Sequence, residues 1–96
     1  MREPTYSTQF KKDFKRCQKR GYSMQSLLAV MSDLENKIPL DPKHKEHLLI
    51  GDYAGCLECH VESDWLAIYQ IDDDKTADEE KEVYFVRTGT HSDLFK

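Results

Sequence analysis

The chain has 96 residues, of which 39% are hydrophobic and 33% charged, and its net charge is −4 at pH 7. This length predicts one domain, residues 1–96, with one modest hydrophobic core. The composition is too apolar for a disordered chain, and no apolar run approaches the roughly 20 residues that a bilayer span needs. The N-terminus has no apolar signal region, so we expect a cytoplasmic protein that does not contact a membrane.

Charge is unevenly distributed along the chain. Residues 1–50 contain ten Lys/Arg and six Asp/Glu, a net charge of +4, whereas residues 51–96 contain four and twelve, a net charge of −8. A globally acidic protein is not attracted to nucleic acid by its net charge, although a local basic surface can still bind RNA.

The N-terminal half predicts a short strand followed by two helices. Residues 5–7 are compatible with a first strand, and Ser7 or Thr8 can cap the helix that follows. Phe10, Phe14 and Cys17 have the spacing of one helical stripe, and the rest of this helix surface is strongly basic. Gly21 is suited to the position just after the helix.

A second helix has the clearest amphipathic pattern in the sequence. Ser23 is the predicted N-cap, and Pro39 and Pro42 end the pattern. The predicted buried stripe consists of Met24, Leu27, Leu28, Met31, Leu34 and Ile38.

The C-terminal half has the periodicity of strands. Leu57, Cys59 and Val61 alternate with polar residues, and the runs 65–71 and 83–88 are rich in strand formers. A strongly acidic connection, Asp72–Glu82, separates the last two strands. The order βααβββ predicts an α+β fold in which a two-helix hairpin packs on one face of a small, mainly antiparallel sheet.

Cysteine and histidine spacing raises two further possibilities. Cys56 and Cys59, followed by His60, match a haem-attachment motif, and with His44 and His47 they could form a zinc site. Strand alternation, however, directs the two cysteines to opposite faces. We therefore expect no metal and no cofactor, with Cys59 in the core and Cys56 at a strand edge.

A scattered set of polar residues is consistent with acid–base chemistry on RNA. It comprises His44, His47, His60, Asp64, Arg87 and His91. RNA carries its own nucleophile, the 2′-OH, so cleavage needs a proton acceptor, a cation for the phosphate charge and a proton donor for the leaving oxygen. Histidine titrates near neutral pH and arginine binds phosphate bidentately. A polar surface without chemistry is the alternative at this point.

Three segments resemble the YafQ branch of the RelE-like toxins. They are KEHLLIG (45–51), HVESDWLAIY (60–69) and RTGTHSDLF (87–95). The resemblance runs nearly end to end and implies a two-helix hairpin against a small curved antiparallel sheet. It also implies an mRNA interferase that cleaves mRNA in the A site of the 70S ribosome, held inactive by a DinJ-like antitoxin of the ribbon-helix-helix type.

The resemblance also implies the site residues. The catalytic set is His47, His60, Asp64, Arg87 and His91, and the substrate-binding set includes Phe95 and its neighbour in the site, Trp65. Because the ribosome offers an RNA surface, the basic face of the first helix could dock on it, which adds Lys11 and Lys15 to the substrate-binding set. His91 is the first choice for general acid or base, Arg87 would stabilise the phosphate charge, and Phe95 would stack on a base. Trp65 could instead be a core residue, Phe95 could simply cover the sheet edge, and the helix lysines could serve solubility alone.

Two other functions remain open at this stage. One is a ParE-like toxin that inhibits gyrase, and the other is a toxin-fold protein with weak catalysis that only binds its partner. The His/Asp/Arg set favours the nuclease, because a binding protein has no need of proton-transfer groups. We further predict that the acidic connection points away from this set, with Asp73 and Glu79 distant from Arg87.

Overall fold

The computed structural model describes residues 1–73 and 81–95. In chain order its elements are β1 (Glu3–Tyr6), α1 (Thr8–Lys19), α2 (Met24–Glu35), β2 (His47–Leu48), β3 (Leu57–Glu62), β4 (Trp65–Asp72), β5 (Glu82–Gly89) and α3 (His91–Leu94), with 3-10 turns at Pro42–His44 and Gly51–Tyr53. The predicted α+β order is confirmed. Two short elements, β2 and α3, were not predicted, because two and four residues carry too little periodicity to detect. No helix in the described ranges is long and apolar enough to cross a bilayer.

The five strands form one mixed sheet in the order β1-β5-β4-β3-β2. Strand β1 runs parallel to β5, and the other three pairs are antiparallel. Because β1 pairs only with Glu82–Phe85, the rest of β5 is an edge that is covered by the start of α1. Ser7 makes this transition, since its backbone N–H donates to the Phe85 carbonyl and its hydroxyl donates to the Val86 carbonyl.

The first helix begins and ends as its sequence predicts. The Ser7 hydroxyl accepts a hydrogen bond from the Phe10 N–H, which is an N-cap. Gly21 follows the helix with φ +78°, a conformation that suits glycine.

The second helix is shorter than predicted. It ends at Glu35, so Ile38 lies beyond it and is exposed, and Leu28 is also exposed. Val30, which was not part of the predicted stripe, is buried, because the helix face toward the sheet is centred on Leu27, Val30 and Leu34. Ser23 occupies the N-cap position but makes no side-chain capping bond.

The hairpin of α1 and α2 covers one face of the sheet with the main core. That core includes Phe10, Cys17, Leu27, Val30, Met31, Leu34, Cys59, Val61, Trp65, Ala67, Tyr69, Val83 and Phe85. A smaller apolar cluster lies on the opposite face and is built from Cys56, Leu66, Ile68 and Leu94. Cys56 and Cys59 thus belong to different clusters, as strand alternation predicts.

The start of the acidic connection lies far along the sheet from Arg87. Asp73 follows the end of β4 and forms a bidentate pair with Arg2, at 2.7 and 2.9 Å. The prediction that Asp73 lies far from Arg87 is therefore confirmed. Glu79 lies outside the described residues.

Candidate active site

Most of the predicted site residues lie on the sheet face opposite the helix hairpin. His60 is paired with Leu66, and Arg87 is paired with Ile68, so both histidine and arginine share the face of the smaller apolar cluster. Cross-strand partners project to the same face of a sheet. Residues that are 27 positions apart along the chain are placed on one face of the sheet in this way.

Helix α3 supplies the second histidine. It begins with a capping box, in which the Thr90 hydroxyl accepts from the Asp93 N–H and the Asp93 carboxylate accepts from the Thr90 N–H. His91 is its first residue and lies beside the bend between β3 and β4. Both the backbone N–H and Nδ1 of His91 donate to Asp64 Oδ1, at 3.2 and 2.7 Å.

The two histidine rings face each other across a short gap. The centroids of His60 and His91 are 6.1 Å apart. His60 Nδ1 donates to the Ser63 carbonyl at 3.2 Å, and His91 Nδ1 donates to Asp64. Each ring is therefore anchored through Nδ1, and Nε2 takes no part in these two bonds.

Aromatic contacts connect the histidine pair to Arg87. Phe95 lies 6.1 Å from the His91 ring and makes an edge-to-face contact with Tyr53 at 5.7 Å. The Tyr53 hydroxyl in turn accepts from Arg87 Nη1 at 3.2 Å. His60, His91, Phe95, Tyr53 and Arg87 thus form one continuous strip, which we call the site strip.

Two ionised side chains lie at the site strip: Asp64, which contacts His91, and Arg87, at the other end. The two hydrogen bonds from His91 hold the pKa of Asp64 below its usual range, so that carboxylate is ionised at neutral pH. At the other end, hydrogen bonding to Asp13 raises the pKa of Arg87. The Arg87 side chain is 19% exposed and thus remains open to solvent.

His47 lies on the next strand, at the margin of the site strip. It is paired with Glu58 in the sheet, and its Nε2 is 3.3 Å from Glu58 Oε1. Glu58 and His60 are two residues apart on one strand, so His47 projects from the same face. The Glu58 carboxylate is buried, and its Oε2 has no hydrogen-bond partner among the described residues.

Three predicted substrate-binding residues lie away from the strip. Trp65 is 4% exposed and packs in the main core, where its indole N–H donates to Thr88 Oγ1 at 2.9 Å. This is the core role that the sequence left open, and burial corrects the prediction of direct substrate contact. Lys11 and Lys15 are exposed and line a groove of about 510 Å³ between α1 and α2.

Two residues at the site were not predicted from the sequence. Tyr53 lies in a loop without periodicity, and no signal distinguishes it. Asp13 had a detectable signal, since it is the single acidic residue of α1 and lies on the same helical stripe as Phe10 and Cys17.

Comparison with known proteins agrees with this architecture. The family model described as "Bacterial toxin of type II toxin-antitoxin system, YafQ" matches residues 2–96. The chain belongs to the YafQ toxin family. The Escherichia coli K12 protein named mRNA interferase toxin YafQ is 41% identical over 95 residues, which are 98% of this chain and 96% of that protein.

Solved structures of E. coli YafQ have the same fold. The crystal structure of YafQ from strain BL21(DE3) superposes with a TM-score of 0.88 at 39% identity, and the match covers 100% of both chains. The YafQ chain of the E. coli DinJ–YafQ toxin–antitoxin complex gives a TM-score of 0.85 at 41% identity, covering 99% of this chain and 98% of that one. The α+β fold and family membership predicted from the sequence are thus confirmed.

Proposed function

We propose that this chain is the mRNA-cleaving toxin of a type II toxin–antitoxin system and acts on mRNA in the A site of the 70S ribosome. Family membership and the name of the E. coli relative support the activity. The observation that carries the chemistry is the pair of anchored histidines with ring centroids 6.1 Å apart.

The reaction is intramolecular attack by the 2′-OH on the adjacent phosphate. A base removes the 2′-OH proton as the O–P bond forms, and an acid protonates the 5′-oxygen as its bond to phosphorus breaks. Each proton-transfer atom must come within about 3 Å of the oxygen that it serves. Two imidazoles at the observed separation can therefore reach two oxygens of one phosphodiester. His60 and His91 are assigned to these transfers, with His91 oriented by Asp64.

The other residues of the strip bind the substrate. The Arg87 guanidinium stabilises the extra negative charge on the phosphate in the transition state, and Phe95 stacks on a base next to the scissile bond. His47 lies at the margin of the strip and contacts the RNA backbone on that side. No step requires a cofactor.

The partners follow from the relatives. The E. coli protein is crystallised in complex with DinJ, so a DinJ-like antitoxin is the proposed inhibitor of this chain. Because the substrate is ribosome-bound mRNA, we place the activity in the cytoplasm.

Single-turnover cleavage of mRNA on programmed ribosomes tests this function. The wild-type protein should cleave within codons, and His91→Ala should be slower by about 10²–10⁴-fold. Ser92→Ala, an exposed neighbour in α3, is the matched control and should retain the wild-type rate. Gyrase-linked DNA breaks without mRNA cleavage would favour the ParE-like alternative, and an equal rate for His91→Ala would remove that residue from the mechanism.

A further inference from the structure

Asp13 is a buried carboxylate in a basic helix. Its side chain has no exposed surface, and it lies on the face of α1 that covers the free edge of β5. Burying a carboxylate is costly unless it is paired and hydrogen-bonded. A helix packed on a sheet edge does not need a charge at this position, since an apolar residue could fill it.

The Asp13 carboxylate accepts five hydrogen bonds. Two come from Arg87, from Nε to Oδ2 at 2.7 Å and from Nη2 to Oδ1 at 3.3 Å. The Thr88 backbone N–H donates to Oδ2 at 3.2 Å, while Gln9 Nε2 and Arg16 Nη2 each donate to Oδ1 at 3.1 Å. Oδ2 is therefore fixed by donors from β5, and Oδ1 by donors from both β5 and α1.

This arrangement determines the plane of the Arg87 guanidinium. Two parallel bonds between a carboxylate and the Nε/Nη2 edge hold the guanidinium in one orientation. On the far edge Nη1 donates to the Tyr53 hydroxyl. Within the described part of the chain, three of the five N–H groups have partners, which leaves one on each terminal nitrogen.

The pairing leaves the site positively charged. Asp13 pairs with Arg87 and Arg16. Arg16 also lies 3.7 Å from Asp93, which pairs with Arg20, so two carboxylates in this network face three guanidinium groups. Arg87 is thus held rigidly while part of its charge remains available to an anion.

We propose that Asp13 is a positioning residue that fixes the Arg87 guanidinium, so that its two remaining N–H groups face the phosphate at the site strip. This inference rests on the proposed function, because it assigns Asp13 a role in the same cleavage reaction. Asp13 does not contact substrate, and it acts through Arg87 alone.

A double-mutant cycle tests this coupling. Asp13→Asn should slow single-turnover cleavage by about 10- to 100-fold, because a mobile guanidinium loses its alignment with the phosphate. In an Arg87→Ala background the same change should have little further effect, since its target is absent. Gln9→Ala removes another donor to Asp13 without touching Arg87, and it should cleave at close to the wild-type rate. Equal effects of Asp13→Asn in both backgrounds would overturn the proposal.

The orientation of Arg87 can also be measured without activity. In a ¹⁵N-labelled protein, the Arg87 Nε–H should exchange slowly with solvent in the wild type and in Gln9→Ala, and rapidly in Asp13→Asn. Rapid exchange in the wild type would overturn the proposal even if Asp13→Asn failed to fold. Cleavage that Asp13→Asn leaves unchanged would overturn this inference alone, whereas absence of cleavage by the wild type would refute the proposed function as well.

Discussion

The contact between His91 and Asp64 is the most specific feature of the site at the level of single residues. Asp64 Oδ1 accepts from both the backbone and the ring of His91, which fixes the orientation of a ring whose centroid lies 6.1 Å from that of His60. Because the Asp64 pKa lies below its usual range, this anchor is present at every pH at which ribosomes are assayed.

Substitution of Asp64 should therefore reduce the rate of mRNA cleavage without weakening binding to the ribosome. We expect Asp64→Asn to lower the single-turnover cleavage rate by about 10- to 100-fold, since a misaligned imidazole transfers protons poorly. The concentration of ribosomes needed for half-maximal rate should stay within about twofold of the wild type. A variant with a normal rate and weakened binding would instead place Asp64 among the RNA-contacting groups.

At this scale, sequence patterns alone could not assemble the site. His60 and His91 are separated by two strands and the acidic connection, and no periodicity links them. Their juxtaposition depends on sheet register, so the residues alone raised it as one possibility, and the resemblance to a known family made it the expectation. The burial of Trp65, by contrast, agrees with its place at the start of an apolar strand.

Helix α3 is the element that presents His91, and its four residues depend on external anchors. Asp93 closes the capping box and forms a bidentate pair with Arg20 of α1, at 2.7 and 3.1 Å. These bonds hold the pKa of Asp93 well below its usual range. The carboxylate thus ties the end of β5 to the helix hairpin.

The Asp93 anchor should make stability depend on pH. A carboxylate with a depressed folded-state pKa contributes stability above its unfolded pKa of about 3.9, and this contribution is lost as pH falls toward the folded value. We expect Asp93→Asn to lower the free energy of unfolding by about 1 kcal/mol at pH 7, with a smaller difference at pH 3. Urea denaturation at the two pH values measures this.

Lys19→Gln is the control, since it removes a neighbouring exposed cation from the same helix end. It should leave stability unchanged at both pH values. A constant difference between wild type and Asp93→Asn from pH 7 to pH 3 would contradict the prediction.

Gly89 is the hinge between β5 and α3. Its φ is +156°, and an added Cβ would lie 2.8 Å from Asp93 Oδ2 and 3.1 Å from Arg16 Nη2. We expect Gly89→Ala to destabilise the protein by about 1–3 kcal/mol and to slow cleavage, because α3 must move to relieve the contact. Thermal unfolding and single-turnover cleavage measure the two effects.

Gly21→Ala provides a matched comparison for this variant. Gly21 also has a positive φ, of +78°, but an added Cβ there would meet nothing within 4 Å. It should cost stability through backbone strain while cleavage by the folded protein stays normal. Equal cleavage by both variants would mean that α3 tolerates displacement.

Element prediction succeeded where the periodicity was long and failed where local geometry decided. Helices α1 and α2 and the three long strands were predicted because their apolar residues repeat over six or more positions. The sequence predicted that α2 extends to Ile38, but the helix ends at Glu35. Lys37 takes a left-handed conformation at φ +58°, which cannot be predicted from a lysine. The two-residue strand β2 forms only because β3 offers an edge.

At the level of the whole molecule, the site strip and the Lys11/Lys15 groove lie on different faces. The site strip lies on one face of the sheet, while Lys11 and Lys15 line the groove between the helices that cover the other. Asp73, in the acidic connection, is neutralised by Arg2 at the far end of β4. This separation is consistent with an acidic protein that docks on RNA through a local basic surface.

The lysines should therefore affect docking and not chemistry. The double variant Lys11→Glu/Lys15→Glu should require more ribosomes for half-maximal cleavage, while its rate at saturation stays within about twofold of the wild type. If both lysines neutralise phosphates, the slope of log affinity against log salt should become less steep by roughly one to two. Titration of ribosomes at several salt concentrations measures both quantities. An unchanged salt slope would assign Lys11 and Lys15 to solubility, and a reduced rate at saturation would connect them to the site strip across the sheet.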